Sequence, residues 1–156
     1  MKTNNNQFYL THNFHKENDI AGSIFMDARN SIEKLDKNMI SYGHNMKDHS
    51  MFGSLKKYKT QQFLDEHKTI SLDFLNSSYQ WEIFSVYTSG STEWMKTNFT
   101  SKSEFELYLH DVRNRSEIES FIEVTPEDTI LTLSTCTNID EDERIIVHAK
   151  LLNGRI

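Results

Sequence analysis

"EDTILTLSTCTNIDEDERIIVHAKLL", residues 127–152, contains two apolar segments that alternate with a period of two, 127–136 and 144–152. Alternation of this kind marks β-strands, here two joined by a short polar connection. On the first strand Leu131 and Leu133 share one face, and Thr132, Ser134 and Cys136 the other. On the second, Ile145, Val147, Ala149 and Leu151 form the apolar face, with Arg144 and His148 opposite. If both apolar faces meet one core, Cys136 and Arg144 both point away from it. Only residues 137–143 separate them, and if the strands are antiparallel neighbours the two meet across the mouth of the loop. Cys136 is the only cysteine of the chain, and the acids Asp140, Glu141, Asp142 and Glu143 oppose its ionised form. A guanidinium opposite favours the thiolate. It can also stabilise an oxyanion formed after attack. A free cysteine is more commonly a small buried hydrophobe. The polar neighbours and the arginine shift the balance towards chemistry.

Working outward, "GSIFMD" (22–27), "NMISYGHN" (38–45), "KTISLDFL" (68–75) and "YQWEIFSVYTS" (79–89) read as further strands. The last two are joined by the turn-forming "NSS". Two stretches read as helical. Residues 51–67 predict one or two short helices. Over 101–115, Phe105, Tyr108, Leu109 and Val112 form one apolar face, and Ser101 with Glu104 fits a capping box. Many short strands with few helices argue for a barrel or a sandwich. The chain of 156 residues is one domain by length, 1–156. A net charge of −6 gives no nucleic-acid footprint. No apolar run is long enough to cross a membrane. One cysteine excludes an internal disulfide framework.

A cysteine nucleophile needs a base or acid partner, usually histidine. Among seven histidines, His44 is the leading candidate, because it ends a strand and can reach a neighbouring rim. His148 is second: it shares the face of Arg144 but lies deeper, where a plain strand residue is the commoner outcome. His12, His15, His49, His67 and His110 stand in polar surroundings and read as surface residues. Asn138, Asp140 and Asp142 imitate the start of an EF-hand, but Glu143 replaces the turn glycine and Ala149 the bidentate glutamate, so calcium is rejected. His44, Asp48 and His49 are too loosely spaced to argue for zinc. No metal and no cofactor are expected. Trp94 and Met95 follow "SGSTE" and fit either a loop anchor or the apolar wall of a peptide groove.

With "FYLTHNF", "GSIFMDARN", "YGHNM", "MFG", "TLSTC" and "RIIVHAKL" in this order, the chain resembles a class B sortase over nearly its whole length. Sortases are cysteine transpeptidases of the Gram-positive cell surface, built on a closed β-barrel. The resemblance implies that Cys136 attacks the threonine carbonyl of an Asn-Pro-x-Thr-type sorting signal peptide and forms a thioacyl enzyme. It implies that His44 protonates the leaving amine and then deprotonates a peptidoglycan amine, and that Arg144 steadies the oxyanion. It further implies a substrate groove made by Asn6, Leu10, Tyr42, Trp94, Met95 and Ser134, with no metal. The helix at 101–115 fits one that class B inserts before its cysteine strand. A thiol protease acting on the same motif, and an inactive peptide-binding barrel, are the alternatives. The implied location is the outer face of the cell membrane, through an anchor that this sequence does not carry. Relative to the family, Met1 falls after the membrane anchor, the N-terminal helices and the first strand, so a shortened barrel is expected. An edge left open in that way implies lowered stability or pairing with a second chain.

Overall fold

Six strands form one sheet in a computed structural model that describes residues 2–74, 77–136 and 143–155, with the backbone alone of Phe74, Cys136 and Arg155. The strands are β1 (Phe25–Met26), β2 (Asn38–His44), β3 (Thr69–Phe74), β4 (Ser77–Ser89), β5 (Ile130–Cys136) and β6 (Arg144–Arg155). Their order is β1-β2-β5-β6-β4-β3. The fold is mainly β, as expected, but the sheet is a curled half-barrel with β1 and β3 at its edges. Only β2 and β5 run parallel among the described strands. The two apolar alternations are neighbours: β5 and β6 pair antiparallel, with Leu133 opposite Val147 and Ser134 opposite Ile146. Helix α1 (Gln61–Glu66) follows a 3₁₀ turn at Leu55–Lys59, so residues 51–67 hold two short helical pieces. The turn expected at "NSS" begins outside the described residues, and Ser77 and Ser78 already belong to β4.

The sequence-based parity of β5 and β6 holds, but the expectation of one core face and one face turned away from it does not. Leu131, Leu133, Val147 and Ala149 pack with Met39, Trp81, Ile83 and Val86 on one side. Ile130 and Ile146 pack with Ile40, Tyr42, Phe84 and Tyr87 on the other, under helix α2 (Lys102–Asn114). Both faces are therefore covered, and the polar residues between the apolar ones need partners. In β4 a bulge at Phe84–Ser85 shifts the register against β6, from Ile83 opposite Ala149 to Ser85 opposite His148. The extra residue explains why Trp81 and Ile83 face the first core while Val86, not Ser85, rejoins it. Helix α2 buries Phe105, Leu109 and Val112, three of the four residues of its expected face. Ser101 caps it by accepting from the Glu104 N–H at 3.1 Å. The reciprocal half of the box differs: the Glu104 carboxylate accepts from Thr100, its backbone N–H and hydroxyl, rather than from Ser101.

His148 shows what the double burial demands. It is fully buried, and both ring nitrogens are bonded. The Thr132 hydroxyl donates to Asn38 Oδ1 at 2.7 Å, so it must accept from His148 Nδ1 at 2.8 Å. Nδ1 thus carries the hydrogen, and Nε2 accepts from the Tyr87 hydroxyl at 2.9 Å. Asn38 Nδ2 in turn donates to the carbonyl of Lys96 at 2.8 Å, which ties the loop after β4 to the sheet. This removes His148 as an alternative base, since it sits inside a closed network rather than at a rim.

Burial pushes the pKa of His148 down to about 3. The folded value lies below the unfolded one of about 6.5. The stability gained by keeping the ring neutral is complete above about pH 6.5 and is lost as pH falls towards 3. Urea unfolding between pH 7 and pH 4 should show a fall of roughly 1 kcal/mol per pH unit that is absent from His148→Gln. Equal slopes in the two proteins would contradict this.

Candidate active site

Parallel pairing brings the ends of β2 and β5 to one rim. His44 is opposite Cys136 in that ladder. The antiparallel ladder of β5 with β6, continued two residues beyond Ser134 and Ile146, brings Arg144 level with Cys136. That continuation is supported by the Ile145 N–H, which donates to the Thr135 hydroxyl at 3.0 Å. On its other side Arg144 is opposite Ser89 of β4. Three adjacent strands therefore carry His44, Cys136 and Arg144 in a row. The side chain of Cys136 and the loop 137–142, including the acidic residues compared with an EF-hand, lie outside the described residues.

His44 is half-buried, and its Nε2 is 2.5 Å from the carbonyl of Leu10. A carbonyl only accepts, so Nε2 carries the hydrogen. The backbone of His44 is held from the far side: its carbonyl accepts from Phe52 N–H at 2.9 Å. Phe52 lies against Gly43, where a Cβ would meet the ring carbons Cγ and Cδ2 at 2.8 and 2.9 Å. Close approach of this ring, rather than backbone freedom, explains a glycine next to the histidine. Among the other histidines, His12 is stacked on Phe8 at 4.1 Å and bonded to its carbonyl, while His15, His49, His67 and His110 are exposed. No cluster able to hold a metal occurs among the described residues.

Two cavities flank the contact between Leu10 and His44. One, of about 250 Å³, is lined by Asn6, Leu10, Tyr42, Met95 and Arg144, together with Gln7 and Phe25. The other, of about 960 Å³, contains Leu10 and His44 together with Ile20 and Met46. Five of the expected site residues thus share the smaller cavity. Trp94 and Ser134 do not. Trp94 is 2% exposed, its Nε1 donates to the Ser91 carbonyl at 2.8 Å, and its ring packs on Tyr42. Its place is that of a loop anchor, which positions Met95 beside it. Ser134 is fully buried. Neither lines the cavity.

Asp27 and Arg29 are the residues that sequence reasoning did not find. Asp27 is fully buried at the end of β1. Its Oδ1 accepts from Arg29 N and Arg29 Nε, each at 2.9 Å. Its Oδ2 accepts from Arg29 Nη2 at 2.9 Å, the Tyr42 hydroxyl at 2.7 Å and Asn6 Nδ2 at 3.2 Å. Burial alone would raise the pKa of Asp27, but the Arg29 and Tyr42 bonds outweigh it and hold the carboxyl below its usual range. Burial, with the Asp27 bond, pushes the Tyr42 hydroxyl up. Arg29 Nη2 also donates to the Met95 carbonyl at 2.7 Å. The signal that could have identified this centre is the "FMDAR" pattern, a carboxylate ending an apolar strand two residues before an arginine.

A sortase domain model matches residues 3–152, and the chain belongs to the sortase family. Its likeness is to class B members. It is 43% identical to sortase B of Listeria monocytogenes over 155 residues, which is 97% of this chain. The chain spans 63% of that protein's length. Among solved structures, a Staphylococcus aureus sortase B–substrate complex superposes with a TM-score of 0.94 at 35% identity, over 98% of this chain and 72% of that one. A sortase B complexed with triglycine superposes equally well, with a TM-score of 0.94 at 35% identity, over 98% of this chain and 73% of the other.

The packing at Gly43 can be tested directly. Gly43→Ala forces the Phe52 ring, and with it the support of His44, to move. Overpacking of this kind costs roughly 1–3 kcal/mol. A lower thermal midpoint and displaced His44 imidazole resonances are expected. An unchanged midpoint would show that Phe52 can yield freely.

Proposed function

We propose that this domain is a cysteine transpeptidase of the class B type, acting on a sorting-signal peptide of the Asn-Pro-x-Thr kind. The single observation that carries the reading is the row of His44, Cys136 and Arg144 on three paired strands, beside a cavity lined by Asn6, Leu10, Tyr42 and Met95. Family membership and the sortase B–substrate complex among its structural neighbours support it. The thiolate of Cys136 attacks the threonine carbonyl. The oxyanion that forms is stabilised by the guanidinium of Arg144. The C–N bond breaks as His44 gives its proton to the leaving amine, and a thioacyl enzyme remains. A second amine then attacks the thioester. His44 takes its proton, the C–S bond breaks and the thiolate is restored. The relative crystallised with triglycine supports a glycine-type amine from peptidoglycan as the acceptor. This chemistry belongs at the outer face of a Gram-positive membrane. No step calls for a metal.

Incubation with an Asn-Pro-x-Thr peptide should give a thioacyl adduct on Cys136 by mass spectrometry. Added triglycine should then give a ligated product. Cys136→Ala should form no adduct, and Arg144→Ala should lower kcat about 10²- to 10³-fold. Hydrolysis that added amine does not divert would make the domain a thiol protease. Peptide binding without turnover would make it a binding module.

A further inference from the structure

The Asn6 side chain is held at both ends. Its Oδ1 accepts from Ala28 N–H at 2.7 Å, and its Nδ2 donates to Asp27 Oδ2 at 3.2 Å. An Asn amide can turn over by exchanging oxygen and nitrogen, and it then shows the opposite polarity to a ligand. Here both contacts prevent that. A carboxylate accepts only, so the group facing Asp27 must be Nδ2, and a backbone N–H donates only, so the group facing Ala28 must be Oδ1. Among the described residues the second N–H of Nδ2 has no acceptor. Asn6 lines the smaller cavity, and Asp27 does not. Asp27 has five donors on its two oxygens and is fully buried, so it cannot itself take a bond from a peptide.

We infer that Asp27 is a positioning residue that commits Asn6 to act as a hydrogen-bond donor, so that the groove reads a carbonyl oxygen of the substrate peptide. The inference rests on the transpeptidase reading above and adds the polarity of one contact. Arg29 has a separate part. It neutralises the buried carboxylate and fixes Met95 through its carbonyl, which joins two walls of the cavity through one ion pair. The same carboxylate accepts from Tyr42, so the proton of that hydroxyl is also turned from the substrate.

The test uses a series of peptides in which each carbonyl oxygen, apart from the scissile one, is replaced in turn by sulfur, a weaker acceptor. At one position the replacement should raise KM about fivefold in the parent protein, the worth of one neutral hydrogen bond. Asp27→Asn should raise KM for the all-oxygen peptide by up to a similar factor, leave kcat within about twofold, and reduce the sulfur effect, since the Ala28 N–H alone then holds the amide. A merely structural Asp27 would lower the thermal midpoint and leave the sulfur effect in place. That result, or no sensitive position in the parent, would overturn the inference. If Asp27→Asn does not fold, Asn6→Ala replaces it, and persistence of the sulfur effect there overturns the inference. If the parent forms no thioacyl adduct at all, the transpeptidase reading fails, and the Asn6 amide is read without peptide by ¹⁵N NMR. The amide proton bonded to Asp27 should then be shifted downfield and slow to exchange with solvent in the parent, and both effects should be lost in Asp27→Asn. Unchanged resonances would sink the inference independently.

Discussion

The parallel ladder between β2 and β5 is the constraint on which the site depends. Antiparallel neighbours bring the end of one strand to the start of the next, whereas parallel neighbours bring two strand ends to the same edge. His44 and Cys136 are both the last residues of their strands, and only parallel pairing can put them side by side. The antiparallel return into β6 then adds Arg144 from the other flank. The ladder is pinned because both its faces are packed. Met39 and Leu131 face one core, and Ile40 and Ile130 the other. A slip of one residue would exchange the two sets and move His44 out of line with Cys136.

Period-two alternation made β5, β6 and most of β2 and β4 legible in the sequence, and the 3.6-residue repeat did the same for α2. The hairpin that opposes Cys136 and Arg144 followed from parity and a short loop. What parity could not tell was that the face opposite Leu131 and Leu133 is also buried. Thr132 and His148 look like solvent-facing residues until α2 is laid over them. The bulge in β4 was hidden for the same reason, since alternation shows only after the register is known. Resemblance supplied Asn6, Leu10, Tyr42 and Met95, and they share one cavity. Trp94 and Ser134 were drawn from the same motifs, and both are buried without lining that cavity.

The Asp27 centre was the least legible part. Its members are Asn6, Arg29, Tyr42 and the carbonyl of Met95, from four separate stretches of chain. A buried carboxylate is costly unless its oxygens are filled by donors, and breaking one partner away leaves an uncompensated charge. The members of the centre therefore support one another through one carboxylate. That shared support suits the border of the cavity, because it fixes three walls through one group. It also makes plain why a short polar residue such as Asp27 can matter more to the shape of the groove than the larger residues that line it.

The crossover from β2 to β5 passes through β3, β4 and α2 before it closes. Contacts between segments so remote in sequence are slow to form, because the intervening loop must first be closed. A chain emerging from the ribosome or a translocation pore carries its imidazole long before its sulfur, and its guanidinium comes after both. Until the final hairpin is made, the ends of β2, β5 and β6 do not share a rim. The rim that carries His44, Cys136 and Arg144 therefore forms last, when the rest of the sheet can already hold it.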